Sequence, residues 1–173
     1  MGHPTSIVRG LEAYSTIMAI AHEIRHARRA VALTGAGISA ESGLATFRGK
    51  HGLWSTYDPT LAASIGSFTE DPRKFWEFAR RIGSAFIDAK PNSAHEALAE
   101  LERMGQLDCV ITQNIDGLHQ RAGSQQVIEI HGNAARIKCT ACHASYLTRE
   151  ILDDLIRQEL PACRRCGGAL KPD

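Results

Sequence analysis

The 173-residue sequence has almost no net charge, few aromatic side chains and no long apolar run. Twenty basic residues offset 19 acidic ones to give +1 at pH 7, so no attraction to nucleic acid is indicated. No stretch approaches the roughly 20 apolar residues that cross a bilayer. The amino terminus also lacks the basic and apolar regions of a secretion signal. The sequence therefore predicts a cytoplasmic globular protein without direct nucleic-acid or membrane partners.

Cysteine is also scarce, and four of the five cysteines are grouped in two C-x-x-C pairs. Such pairs suit a reducing compartment and a metal better than disulfides. Cys139-x-x-Cys142 and Cys163-x-x-Cys166 are separated by 20 residues, close to the spacing of a zinc ribbon. Four thiolates complete a tetrahedral zinc site with no open position. We predict a structural zinc ion held by these cysteines; a redox pair or two unrelated turns are the alternatives. Cys109 stands apart and is expected to be a core thiol.

A glycine-rich turn follows the first β-forming run of the chain. The run from Ala30 to Leu33 is typical of a buried parallel strand. Directly after it, Gly35-Ala-Gly37-Ile-Ser-Ala matches the G-x-G-x-x-G/A dinucleotide pattern. In that pattern Gly35 permits a tight turn, Gly37 lets the backbone approach a pyrophosphate, and a following helix directs its N–H groups at the phosphates. A glycine turn without a ligand is the alternative.

The second strand does not follow at the distance that a dehydrogenase requires. In that class an acidic residue roughly 20 residues past the glycines binds the adenosine ribose. The next convincing β-rich run here is 109–112. We therefore predict a lid and a mostly helical insertion at about residues 45–105. Asp71 and Ser93 are the predicted N-caps of two of its helices, the second in a capping box with Glu96.

Phe47 and Arg48 lie just beyond the glycine turn and are the predicted start of the lid. Arg48 would contact phosphate, and Phe47 would keep water from the reacting carbon of a bound dinucleotide. The turn-rich segment Gly52-Leu-Trp54 continues this lid. A core phenylalanine and a solvated arginine are the alternative.

Polar side chains follow the second and third predicted strands, over 109–112 and 127–130. The segment Gln113-Asn114-Ile-Asp116 comes after one strand, and His131-Gly132 comes after the other. Because the carboxyl ends of parallel strands meet at one edge of a sheet, these groups are expected to converge where the glycine turn points. An amide, a carboxylate and an imidazole at that edge are able to act on a sugar.

In combination, these motifs resemble the sirtuins, which are NAD-dependent protein lysine deacylases. The matching residues occur in the family's order and span about residue 28 to the end of the chain. They are Gly35 to Gly43, Phe47-Arg48-Gly49, Gly52-Leu-Trp54, Thr112 to Asp116, His131-Gly132 and the four paired cysteines. The resemblance implies an α/β fold with a partial Rossmann-like, doubly wound parallel sheet over residues 1–136. A small four-cysteine zinc-ribbon module would occupy residues 137–173.

The resemblance also implies an activity and a role for each site residue. An acyl group, preferably acetyl, would pass from lysine of a protein or peptide to ADP-ribose, with release of nicotinamide from NAD. His131 would be the general base at the ribose hydroxyls, Asn114 would hold the nicotinamide ribose and a water, and Asp116 would bind the carboxamide. Histidine suits this task because its charge ordinarily changes near neutral pH. The other residues expected at the NAD site are Gly35, Ala36, Gly37, Ser39, Phe47, Arg48, Trp54 and Gln113.

Three departures from the family pattern carry expectations. Ala45 and Thr46 replace a proline and often an aspartate in the lid, which makes it less rigid. Ala79 and Ile82, or the residues one position to either side, stand where desuccinylases carry Tyr-x-x-Arg. No tyrosine is present there, so acetyl or longer apolar acyl groups are expected over succinyl. Sirtuins continue past the second C-x-x-C pair, where this chain stops at Asp173. We expect weak or absent NAD binding by this polypeptide alone, which calorimetric titration with NAD tests.

Two other functions stay open at the level of sequence. One keeps NAD but changes the acceptor, as in a protein mono-ADP-ribosyltransferase or an NAD hydrolase. The other is a catalytically inactive, zinc-stabilised fragment or binding module. Detection of acyl-ADP-ribose, modified protein or free ADP-ribose separates these functions.

Overall fold

The computed structural model describes residues 4–48, 52–58, 60, 64–157 and 160–173; for 4–12, 54, 84, 155 and 156 it describes the backbone alone. The helices are α1 (Pro4–His26), α2 (Ile65–Glu70), α3 (Pro72–Asp88), α4 (Ser93–Arg103), α5 (Leu118–Ala122) and α6 (Leu152–Ile156). The strands are β1 (Val31–Thr34), β2 (Cys109–Thr112), β3 (Val127–Glu129), β4 (Arg136–Cys139), β5 (Ser145–Leu147) and β6 (Leu170–Pro172). Short 3₁₀ helices span Ala36–Ser42, Leu53–Ser55 and Thr148–Glu150. Within these residues, no helix is both long and apolar enough to cross a membrane.

The first sheet is parallel, with the order β1-β2-β3, and confirms the α/β fold. Its strands are those predicted, although β1 begins and ends one residue later and β3 ends one residue earlier than expected. Val110 and Thr112 are buried in this sheet. By contrast, no residue of β1 is buried, and Val31 and Leu33 are exposed, so the prediction that the first strand is buried is wrong. Ile128 of β3 is exposed as well.

The second sheet is antiparallel, with the order β5-β4-β6, and begins at Arg136, one residue before the predicted start of the zinc module. Phe68 of α2 and Trp76 of α3 pack into the core of this sheet. Trp76 is almost fully buried, and its indole N–H donates to the Leu170 carbonyl at 3.0 Å. The shared core contains Phe68, Trp76, Ile137, Cys139, Ile151, Cys163 and Leu170.

Of the two N-caps predicted for helices of the insertion, one is confirmed and the other is wrong. Asp71 caps α3 by accepting from the Arg73 backbone N–H at 3.1 Å, as predicted. The predicted Ser93–Glu96 capping box is wrong, because α4 is capped one residue earlier by Asn92. The Asn92 side chain accepts the Ala94 and His95 N–H groups, and the His95 ring accepts the Asn92 N–H. An imidazole thus takes the place that a carboxylate usually has in this motif.

Candidate active site

The glycine turn is followed by a helix, as predicted, which is a seven-residue 3₁₀ helix over Ala36–Ser42. Gly35 has φ −144° and ψ −171°, an extended conformation that any residue adopts, so the predicted need for glycine in the turn is wrong. A Cβ atom added at Gly35 or Gly37 would meet nothing within 4 Å. The two glycines therefore leave open space beside the backbone, which is the feature that a closely approaching ligand needs.

Asn114 joins the end of β2 to the glycine turn. Its side-chain amide is buried and donates to the Gly35 carbonyl and to Ser39 Oγ, both at 3.1 Å. Its backbone N–H donates to Thr112 Oγ1 at 3.0 Å. Ser39 Oγ in turn donates to Asp116 Oδ2 at 2.7 Å, and Asp116 Oδ1 accepts the Leu118 N–H at 2.9 Å. The amide and the carboxylate are thus fixed by a connected network before any ligand binds.

Two fully buried histidines lie beneath this network, with their ring centroids 4.9 Å apart. His95 Nε2 is 3.4 Å from Ser39 Oγ, and His119 Nε2 is 2.9 Å from Thr34 Oγ1. His95 Nδ1 lies 3.3 Å from the Asn92 backbone nitrogen and 3.1 Å from the Asn92 side-chain oxygen. Burial lowers the pKa of His95, and burial together with His95 lowers the pKa of His119; Asp116 opposes both effects.

These lowered pKa values predict that the chain loses stability in mild acid. Both rings are neutral when folded, whereas histidines of the unfolded chain take up protons as the pH falls below about 6.5. The stability is therefore complete above that pH and decreases below it, by about 1.4 kcal/mol per pH unit for each extra proton that the unfolded chain binds. Urea unfolding at pH 7.5 and 5.5 measures the effect, and His119→Gln is expected to reduce it. His22→Ala, at an exposed position of α1, is the control and should leave it unchanged.

A large cleft of about 1660 Å³ lies between the carboxyl edge of the first sheet, α3 and the second sheet. Seven of the predicted site residues border it: Ala36, Phe47, Arg48, Gln113, Asn114, Asp116 and His131. Gly35 and Ser39 lie behind Asn114 and hold its amide. Gly37 does not border the cleft, and Gly49 and the Trp54 side chain lie outside the described residues.

The sequence did not indicate several residues that shape this region. Phe75, Phe78 and Phe86 of α3 form an apolar wall of the cleft. His95, near the start of α4, is fully buried beside Ser39. Its position three residues after Asn92, at the start of a helix, is the signal that could have indicated the cap.

The four paired cysteines form the predicted cluster, with all four sulfur atoms within 4.8 Å of one another. The Cys139–Cys166 and Cys142–Cys163 sulfur atoms are each 3.6 Å apart. A tetrahedral zinc ion with Zn–S bonds of about 2.3 Å separates its sulfur ligands by about 3.8 Å. The cluster therefore fits a closed structural zinc site.

The surroundings of the sulfur atoms also fit thiolate ligands. The Ala141 and Cys142 backbone N–H groups each point to Cys139 Sγ at 3.4 Å, which lowers the pKa of that thiol. The Tyr146 hydroxyl, 3.0 Å from Cys163 Sγ, lowers the pKa of Cys163 to about 6. Hydrogen bonds of this kind orient metal ligands. At Cys166 the Gly168 N–H lowers the pKa of the thiol, but hydrogen bonds with Cys142 and Cys139 raise it to about 12, so this ligand would lose its proton on binding the metal.

A cleft beside a glycine turn and a four-cysteine cluster are the two features that the sequence motifs predicted, and comparison with known proteins identifies the family. Residues 35–173 match the Sir2 family. The chain is 54% identical over 140 residues to NAD-dependent protein deacylase 2 of Archaeoglobus fulgidus, covering 81% of this chain. It therefore belongs to the Sir2 family, the sirtuins, as the motifs indicated.

Solved structures of the family have the same fold. A structure from a study of the mechanism and regulation of Sir2 enzymes superposes with a TM-score of 0.80 at 50% identity, covering 89% of this chain and 61% of that one. A Sir2 complex with a p53 peptide and NAD⁺ also has a TM-score of 0.80, at 39% identity, and the same two coverages. The chain spans 55% of the length of the Archaeoglobus relative.

Proposed function

We propose that this chain carries the catalytic cleft of an NAD-dependent protein lysine deacylase that acts in the cytoplasm. The observation that supports the proposal is that Gln113, Asn114, Asp116 and His131 all border the same cleft. Deacylation needs groups that hold a ribose, bind a carboxamide and accept a hydroxyl proton, and these side chains supply them. The reducing cytoplasm suits a cluster of metal-binding thiols.

NAD supplies an activated C1 of its ribose, because nicotinamide is a good leaving group from that carbon. Asn114 would hold the ribose with its carbonyl oxygen, since its N–H₂ group is already bound to Gly35 and Ser39. Asp116 would bind the carboxamide, and Arg48 a phosphate. The acyl oxygen would displace nicotinamide from C1, and His131 would then accept the proton of a ribose hydroxyl as that hydroxyl bonds to the acyl carbon. Phe47 would exclude water.

The second substrate is proposed to be an acyl-lysine of a protein or peptide. A site for one small ligand ordinarily has about 300 to 1,000 Å³, so a cleft of about 1660 Å³ has room for a dinucleotide and a peptide segment. The apolar wall of Phe75, Phe78 and Phe86 suits the methylene chain and the acyl group of such a lysine.

The decisive experiment follows the fate of the acyl group by mass spectrometry. Because the chain spans 55% of the Archaeoglobus relative, the assay uses the chain as printed and a chimera that joins it to the unmatched part of that relative. With NAD and an acetyl-lysine peptide, the chimera is expected to form nicotinamide, free lysine peptide and acetyl-ADP-ribose in equal amounts. ADP-ribose on protein, ADP-ribose formed without peptide, or no NAD consumption by the chimera would contradict the proposal.

The acyl preference gives a separate prediction. Ala79 and Ile82, which stand in place of the Tyr-x-x-Arg pair, border the cleft and offer no partner for a carboxylate. We expect the chimera to remove acetyl from a lysine peptide at least tenfold faster than succinyl, since a buried charge without a partner is costly. Arg80 and Arg81 also border the cleft, and Arg81 is exposed. Faster removal of succinyl than of acetyl would refute the prediction. In that case, loss of the succinyl activity in Arg80→Ala or Arg81→Ala would identify the arginine that pairs with the succinyl carboxylate.

A further inference from the structure

The imidazole of His131 is not held in place by its own hydrogen bonds. It is exposed on the cleft wall and makes no hydrogen bond or ion pair with any residue that the structure describes. Its position is therefore set by the backbone of residues 130–135, which we call the His131 loop. This differs from Asn114 and Asp116, whose side chains are fixed directly.

Glu129 lies at the carboxyl end of β3, two residues before His131, and its side chain is only 12% exposed. Its carboxylate accepts hydrogen bonds from three side chains on three different segments. Gln120 of α5 donates at 2.7 Å, Arg136 of β4 donates at 2.6 Å, and Asn133 donates from within the His131 loop. A carboxylate with this many donors is held far more rigidly than one in a single surface ion pair.

The hydrogen bonds of Glu129 connect the start of the loop to its interior and to its end. Glu129 directly precedes the His131 loop, whereas Asn133 lies inside it and Arg136 directly follows it. The Asn133 side chain is itself buried, and its carbonyl oxygen accepts the Ala135 N–H at 2.8 Å. The Ile130 N–H donates to the Thr112 carbonyl at 2.9 Å, and the Ala134 N–H donates to the Ile115 carbonyl at 2.8 Å. These two hydrogen bonds hold the loop against the segment around Asn114.

We propose that Glu129 is a positioning residue. Its hydrogen bonds with Gln120, Asn133 and Arg136, which we call the clamp, fix the conformation of the His131 loop and thereby the position of the imidazole relative to Asn114. Through Arg136, the first residue of β4, the clamp also links His131 to the sheet that ends at the zinc ligand Cys139. The role of His131 itself rests on the proposed function. The effect of the clamp on the His131 loop does not rest on the proposed function, because it concerns only the conformation of the loop.

The charge of Glu129 favours the clamp at neutral pH. Burial alone would raise the pKa of Glu129, but the hydrogen bonds from Arg136, Asn133 and Gln120 lower it below its ordinary value. The carboxylate therefore stays ionised, and its three donors stay bound, across the pH range in which histidine acts as a base.

The test compares Glu129→Gln with Glu102→Gln in the 173-residue chain. Glu102 is a matched control, because its carboxylate accepts the Gln125 and Gln126 N–H groups at the opposite end of β3. In Glu129→Gln, the His131 ring signals in the NMR spectrum are expected to shift and broaden. Amide exchange over 130–134 is expected to accelerate by roughly tenfold or more, since a hydrogen bond to a charged group is lost. In Glu102→Gln, His131 should be unchanged.

A second variant keeps the test valid if Glu129→Gln does not fold. Arg136→Met removes one donor at an exposed position and should produce a smaller change of the same His131 signals. An unchanged His131 ring and unchanged exchange in a folded Glu129→Gln or Arg136→Met chain would overturn the proposal.

Turnover of the chimera gives the functional readout. Glu129→Gln is expected to lower kcat while the KM for NAD changes by less than about twofold, because Asn114 and Asp116 keep their own contacts. A rise of KM with unchanged kcat would contradict a role in positioning His131. If the wild-type chimera does not turn over at all, the proposed function fails, whereas the clamp is still decided by the NMR comparison.

Discussion

Replacing Cys163 by serine is expected to remove zinc from the chain and to unfold the second sheet. Cys163 is buried in the same core as Trp76, Ile137 and Leu170, so its thiolate holds both the metal and this core. A structural zinc site contributes about 10 to 16 kcal/mol of folding free energy. No core of this size replaces a contribution that large. Zinc content per chain and the near-ultraviolet circular dichroism of the aromatic side chains measure the two effects.

Cys109 offers the matched control for this substitution. It is a half-buried thiol of β2, outside the four-cysteine cluster. Cys109→Ser should keep one zinc ion per chain and a folded second sheet, and chelation of zinc from the unsubstituted chain should reproduce the Cys163→Ser spectrum. One zinc ion retained by Cys163→Ser, with unchanged stability, would contradict the proposed metal site.

Replacing His131 by alanine is expected to lower deacylation by the chimera by roughly 100- to 10,000-fold, the usual effect of removing a general base. The imidazole is exposed and makes no hydrogen bond with any described residue, so its loss should leave the melting temperature and zinc content unchanged. Initial rates of acetyl-ADP-ribose formation measure the effect. His22→Ala, which removes an exposed imidazole from α1, should keep the full rate. A His131→Ala chimera that retains more than about a tenth of the activity would show that another group accepts the proton.

The placement of the site residues could be predicted because it follows from strand pattern alone. The runs over 109–112 and 127–129 are short and rich in β-branched residues, and a parallel pair of such strands has one carboxyl edge. Asn114 and Asp116 come within four residues of the first run, and His131 directly follows the second run as predicted over 127–130, so their convergence needed no knowledge of packing. The cysteine cluster was predictable for a similar reason, since each tight C-x-x-C turn brings its two thiolates together.

The hydrogen bonds that hold the site residues in place could not be predicted, because their partners are far apart in the sequence or of an unusual residue type. Ser39 meets Asp116 77 residues away, and His119 meets Thr34 85 residues away. Glu129 ends a strand in which a carboxylate is typical of a solvated face, and only the fold brings Gln120, Asn133 and Arg136 to it. The spacing of residues along the sequence does not predict such contacts.

NMR titration of the chimera with NAD tests most directly whether Gly35, Asn114 and His131 surround one bound ribose. The Gly35 amide, the Asn114 side-chain amide and the His131 ring are expected to shift along one binding curve with a common dissociation constant. Mutation of Asp116 to asparagine should weaken all three responses together. Shifts at Gly35 and Asn114 with an unmoved His131 ring, or no shift at any of them, would contradict a common ribose site.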